Sequence, residues 1–161
     1  MSCTDNSKME PMKTGLPTEE TVQRWLIKAE MGHAMSQYNL AISYYKGIGI
    51  TVDWSRALHW FKEAGKQGIV DALYMLGMMY QFGKGVVPDA KEAFYWYYKA
   101  AELGDAESQF RVGNSYCLGR GIEKNAVAAV EWWRKAAEQG HEKARHNLGV
   151  AYHLREGVSV D

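Results

Sequence analysis

The chain has 161 residues, enough for one domain, with 19 basic and 19 acidic side chains and no net charge. That balance argues against a nucleic-acid binder, which needs excess Lys and Arg to displace counterions, and gives no electrostatic reason to sit on an anionic membrane. No apolar run approaches the ~20 residues that a membrane-spanning helix requires, so no span is expected.

Residues 1–17 are polar and carry Pro11 and Pro17, which reads as a disordered tail. The segment has no apolar stretch of the kind a signal peptide needs. Cys3 and Cys117 are the only cysteines, so a disulfide framework is not expected and a reducing, cytoplasmic compartment fits. From residue 18 the apolar pattern is helical, and it predicts helices over 18–31, 34–46, 53–66, 70–82, 89–102, 106–118, 125–138 and 142–154.

These helices repeat with a step of 36 residues. Gly32, Gly68, Gly104 and Gly140 keep that step, and so do Tyr44, Tyr80, Tyr116 and Tyr152. Leu40, Leu76, Val112 and Leu148 form another column, beside Ala41, Gly77, Gly113 and Gly149. Each unit is therefore a pair of amphipathic helices. The first ends at a glycine pair (Gly47/Gly49, Gly83/Gly85, Gly119/Gly121), where left-handed backbone lets the chain turn. An apolar residue follows (Ile50, Val86, Ile122, Val158) and is expected to tuck the turn into the core. Asp53, Asp89 and Asn125 are expected N-caps of the second helices, Asp89 with Glu92 as a capping box. Ala41 or Gly77 facing Ala64 or Ala100 would let two backbones approach closely. Tyr44, Tyr80, Tyr116 and the repeating Trp60, Trp96 and Trp132 are expected in the core.

The run Ala106, Ser108, Gln109, Val112, Gly113, Tyr116, Gly119, Gly121, Ile122, Asn125, Ala129, Trp132, Trp133, Ala136, Ala137, Gly140 resembles the Sel-1-like repeat, a relative of the tetratricopeptide repeat. The resemblance covers residues 21–161 and implies an all-α, right-handed α-solenoid of tandem helix-turn-helix repeats. It divides the domain 18–161 into a half unit 18–32, units 33–68, 69–104 and 105–140, and a half unit 141–161. Trp25 takes the place of Phe61 in the first half unit, and Arg155 replaces the first turn glycine in the last. Either the final helix is a cap or the chain is a structural fragment of a longer array, since an uncapped end exposes apolar surface.

The resemblance implies a non-enzymatic scaffold or adaptor for a protein or peptide partner, monomeric unless it is part of a longer array. Cysteine-rich relatives have been described as β-lactamase-like, an alternative that this chain's lack of repeated cysteine pairs puts in doubt. In tetratricopeptide-type solenoids the first helix of each unit lines the concave face. Projected here, that gives the ladder Tyr38, Tyr74, Phe110 and His146, then Ile42, Met78, Asn114 and Val150, then Tyr45, Gln81, Cys117 and His153, with Lys46, Phe82, Leu118 and Leu154 alongside. Such a surface suits apolar side chains of a peptide or helix. Tyr38 lies two residues from Leu40, about 160° around the helix, which leaves groove and core both open for its ladder.

No catalytic residue, metal or cofactor is expected. Ser43–Tyr44–Tyr45–Lys46 and Lys13–Thr14–Gly15 match short motifs of penicillin-binding enzymes, but in reversed order and without a Ser–Asp–Asn element. His141, His146 and His153 lack the spacing of a zinc site and read as ordinary surface histidines. The Gly–x–Gly turns are not phosphate loops, because no strand precedes them and no Lys–Ser/Thr follows. Cys117 reads as a small apolar filler.

Overall fold

The computed structural model describes residues 15–154. Among them are eight helices and no strand: α1 Glu19–Glu30, α2 Ala34–Lys46, α3 Trp54–Lys66, α4 Val70–Phe82, α5 Ala90–Glu102, α6 Ala106–Leu118, α7 Ala126–Glu138 and α8 Glu142–Leu154. Each packs on its sequence neighbours, giving the tandem helical solenoid that the repeat implies. The expectations for residues 1–14, Arg155 and Val158 lie outside the described residues.

The helices start where capping chemistry dictates. Thr18, Asp53, Asp89 and Asn125 have extended backbone and stand one residue before α1, α3, α5 and α7, so they are caps rather than first helical residues. Asp53 Oδ1 accepts from Arg56 N–H at 2.9 Å and Asn125 Oδ1 from Ala128 N–H at 3.0 Å. Asp89 Oδ1 accepts from the Lys91 and Glu92 amides at 2.8 and 3.1 Å. The expected capping box does not form. The Asp89 amide donates to Tyr80 O at 3.0 Å, while Glu92 Oε2 accepts from Trp96 Nε1–H at 3.1 Å. The bond to Tyr80 recurs as Asp53 N–H to Tyr44 O and Asn125 N–H to Tyr116 O, both 2.9 Å, and pins each turn to the helix before it. Ile50, Val86 and Ile122 lie half-buried beneath these turns, as expected.

The two turn glycines have different tasks. Gly47, Gly83 and Gly119 end α2, α4 and α6 in left-handed conformation. Gly49, Gly85 and Gly121 are also left-handed, but they lie against the start of the second helix of the preceding unit. A Cβ on Gly85 would lie 2.5 Å from the Trp54 carbonyl carbon, and one on Gly121 would overlap the Ala90 carbonyl oxygen. The second glycine is thus an inter-repeat contact as well as a turn.

Within the units, the small residue of each first helix makes room for an aromatic ring rather than for backbone. A Cβ on Gly77 would lie 2.5 Å from Tyr97 Cδ1, and one on Gly113 would lie 2.5 Å from Trp133 Cδ1. This corrects the expected pairing with Ala64 and Ala100. It also corrects the choice of core aromatics. Phe61, Tyr97 and Trp133 are buried, whereas the preceding Trp60, Trp96 and Trp132 are half-buried, with lysines over two of them (Lys99 on Trp96, Lys135 on Trp132). Tyr44 and Tyr80 are buried as expected; Tyr116 is half-buried and Tyr152 exposed.

A polar seam crosses two of the interfaces. Gln37 Nε2 donates to Ala29 O at 3.1 Å, and its Oε1 accepts from Gln67 Nε2 at 2.8 Å. Gln109 repeats this with Ala101 O and Gln139. In the middle unit the same columns hold Leu73 and Leu103. The third interface gains an ionic link. Glu107 accepts from Arg111 Nε–H at 2.8 Å and from His141 Nε2–H at 3.0 Å, while His141 Nδ1 accepts from the Ala144 amide at the start of α8. Accepting at Nδ1 leaves the proton on Nε2, the tautomer that can donate to the carboxylate. His141 is therefore a cap and a cross-repeat strut, not an ordinary surface histidine.

Two predictions follow from these contacts. Gly121→Ala is expected to lower unfolding free energy by more than ~2 kcal/mol, since it adds both a left-handed penalty and a backbone overlap. Gly149→Ala, where a Cβ meets nothing within 4 Å, should raise it by up to about 1 kcal/mol through helix propensity. Urea titration of both variants checks this. For Glu107, burial pushes the carboxyl up, but the His141 bond and the Arg111 guanidinium outweigh it and hold the group below the ordinary carboxylate range. A depressed native pKa stabilises above the unfolded value, and that stabilisation is lost as pH falls through the native one. Urea midpoints measured from neutral pH into acid should therefore fall through the carboxylate range, and less steeply in Glu107→Gln.

Candidate functional site

The sequence-derived ladders occupy one side of α2, α4, α6 and α8, and their burial differs from unit to unit. Tyr38 is half-buried and tilts onto Phe61, with ring centroids 6.0 Å apart. Tyr74 packs on Tyr97 at 5.7 Å in the same manner. Phe110 stacks on the His141 ring at 4.7 Å, and His146 is exposed. Three of the four residues thus have one ring face against the second helix and part of the ring in solvent. Tyr45 meets Phe61 edge-on at 6.4 Å, and Ile42 and Met78 are half-buried against the same core. Phe82, Leu118 and Leu154 remain more than half exposed, an apolar row one helical turn from the ladders.

The first two units are filled on this side. Between α4 and α6, the Tyr97 hydroxyl donates to Gln81 Oε1 at 2.8 Å and the Arg111 guanidinium lies over the Tyr97 ring at 5.9 Å. Burial holds the phenols of Tyr38, Tyr74 and Tyr97 above their ordinary range, so all three are neutral donors at physiological pH.

The third unit is open. A groove of about 560 Å³ runs between α6, α7 and α8, lined by Phe110, Cys117, Val130, Trp133 and Val150, with Asn114 and Asn147 supplying amides. It exists because side chains shorten in step. Val130 stands where the unit before has Phe94, Cys117 where it has Gln81, and Asn147 where α6 has Arg111. Trp133 Nε1–H can only donate, so Asn114 turns its oxygen to it at 3.0 Å. The same oxygen accepts from Asn147 Nδ2–H at 3.1 Å. Asn114 keeps its NH2, and Asn147 its carbonyl oxygen, for other partners.

Of the nine groove candidates, the structure brings Phe110, Asn114 and His146 together in this groove. Tyr38, Ile42, Tyr45, Tyr74, Met78 and Phe82 lie along the other units. Val130, Trp133 and Asn147 were missed. The signal available for them was residue size read down each column rather than polarity along each helix.

The groups weighed for chemistry lie apart. Ser43 is 1% exposed in the helix interface, while Lys46 is exposed, so the hydroxyl is closed to a substrate in solution. His146 and His153 point to solvent, and His141 is engaged by Glu107. Cys117 is a half-buried free thiol at the groove wall.

The Sel1 repeat family model matches residues 34–69, 70–105, 106–141 and 142–161. Among solved structures, the chain is similar to c5321, a protective antigen of uropathogenic Escherichia coli strains with an SLR fold. The TM-score is 0.82 and the identity 37%, over 87% of this chain and 30% of that one. It is similar also to a Sel1 repeat protein from Oxalobacter formigenes, with a TM-score of 0.79 and 34% identity over 89% of this chain and 57% of that one. The chain therefore spans less than two thirds of either relative. Cysteine rich protein B of Helicobacter pylori shares the fold at a TM-score of 0.64 and 24% identity, over 81% of this chain and 93% of that one. No curated protein matches the chain. Four matched repeats, two solved relatives above 30% identity and the observed helix pairs agree: the chain belongs to the Sel1 repeat family.

Proposed function

We propose that this chain is a non-enzymatic scaffold that holds a protein or peptide partner in the groove between α6, α7 and α8. The observation that carries the reading is the groove itself, apolar on its floor and free of charged side chains except at its rim. Aromatic and aliphatic floors of this kind anchor apolar side chains of a partner. The NH2 of Asn114 suits a backbone carbonyl, so the occupant is a peptide segment with an apolar anchor rather than a terminal carboxylate, which would call for a basic clamp. Tyr74, Met78 and Phe82 extend the apolar track along the neighbouring unit. A monomer in a reducing, cytoplasmic compartment fits the free Cys117 thiol.

The test is affinity capture with the wild-type chain beside two variants. Phe110→Ala/Asn114→Ala removes the anchor wall, and Val130→Phe fills the groove with the ring already tolerated at Phe94. A partner identified with wild type should be weakened by about tenfold or more in both variants, roughly the 1.4 kcal/mol of one lost anchor, with helicity unchanged by circular dichroism. The purified partner should also slow alkylation of Cys117, read at that residue by mass spectrometry. Equal capture by Val130→Phe together with unprotected Cys117 would remove the groove from the account.

A further inference from the structure

The helix α8 repeats the pattern of α2, α4 and α6, and each of those is covered by the helix that follows it. On the covered helices Leu40, Leu76 and Val112 are fully buried and Tyr44 is 3% exposed. On α8 the matching Leu148 is half-buried, Gly149 is exposed and Tyr152 is 51% exposed. The slot at Gly149 is empty of neighbours, whereas the slots at Gly77 and Gly113 each hold a ring.

We propose that this end face of α8 docks an amphipathic helix of a separate partner polypeptide. Its side-chain pattern is alanine, then tyrosine or tryptophan four residues on, alanine three further, and an acidic residue three after that. The three internal interfaces set the pattern. Ala57–Phe61–Ala64, Ala93–Tyr97–Ala100 and Ala129–Trp133–Ala136 cover α2, α4 and α6 in one register. Ring size follows the small residue: Ala41 belongs with Phe61, and Gly77 and Gly113 with the larger Tyr97 and Trp133. Gly149 therefore selects tyrosine or tryptophan. The acidic position comes from charge. Six residues after the ring, Gln67 and Gln139 bond to Gln37 and Gln109 at 2.8 Å. In α8 that column is Arg145, exposed and donating to Gly140 O at 3.1 Å. An acid opposite it replaces the amide pair with an ion pair.

A second copy is a poor occupant. Its α1 is the only uncovered helix of the second type among the described residues, and it carries Thr21 and Lys28 where Ala57 and Ala64 are fully buried. Docking α1 on α8 would bury the Lys28 ammonium without a partner in that pattern.

The probe is a labelled peptide of residues 125–141 of this chain, carrying Gln139→Glu, titrated with the full chain by fluorescence polarisation. Saturable binding is expected, weakened about tenfold or more by Gly149→Leu in the chain or Trp133→Ala in the peptide. Gly149→Ala should weaken it less. Arg145→Ala should erase the preference for the glutamate peptide over the glutamine parent. Because position 149 faces open space, circular dichroism should show Gly149→Leu folded; were it not, Gly149→Ala and Arg145→Ala carry the test. Unchanged affinity in Gly149→Leu, or in both other variants, overturns the proposal, as does absence of saturation at about 1 mM. A dimer seen by sedimentation and dissolved by Gly149→Leu would assign the face to a second copy instead. Groove variants such as Val130→Phe lie off this face, so the two sites fail separately.

Discussion

A pair of helices 13 residues long cannot bury its own apolar face, and everything in this molecule follows from how each pair borrows cover from the next. The ring from the second helix fills the space that a missing side chain on the first leaves open. The second turn glycine then lies against the backbone of the unit before, so two units are held by shape at one point and by burial at another. Neither contact survives a one-residue change of spacing. This is a physical reason for a step of 36 residues that does not drift.

The same arrangement produces the groove. Where the facing side chains are long, as Phe94, Gln81 and Arg111 are, they close over the interface and join it by hydrogen bonds and cation–aromatic contact. Where they are Val130, Cys117 and Asn147, the helices keep their positions, because Trp133 and the turn still fix them, and the volume stays open. A solenoid can vary its surface this way at little cost to its frame. That separation between what holds units together and what faces a partner suits a binding scaffold.

Much of the fold was legible in the sequence because its signals are local. Caps at Asp53, Asp89 and Asn125 and left-handed glycines act within a few residues, and the helices they bound lie where the periodicity puts them. The errors concern choices that only a neighbouring helix makes. Trp96 and Tyr97 are adjacent aromatics about 100° apart, and periodicity alone does not say which turns inward. Glu92 could reach back to Asp89 or forward to Trp96, and the Tyr80 carbonyl decides by taking the Asp89 amide first. The groove was half legible. Its ladder was named from helical phase, but its depth depends on the sizes of Val130 and Asn147, which lie on other helices.

Native-state hydrogen exchange tests the central claim, that each helix is stabilised by the cover its neighbours give, most directly. The account predicts the strongest protection in α3 to α6, covered on both sides, and clearly weaker protection in α8, covered on one side only. Uniform protection from α3 through α8 would contradict it, because burial by the following helix would then contribute nothing to the stability of the one before.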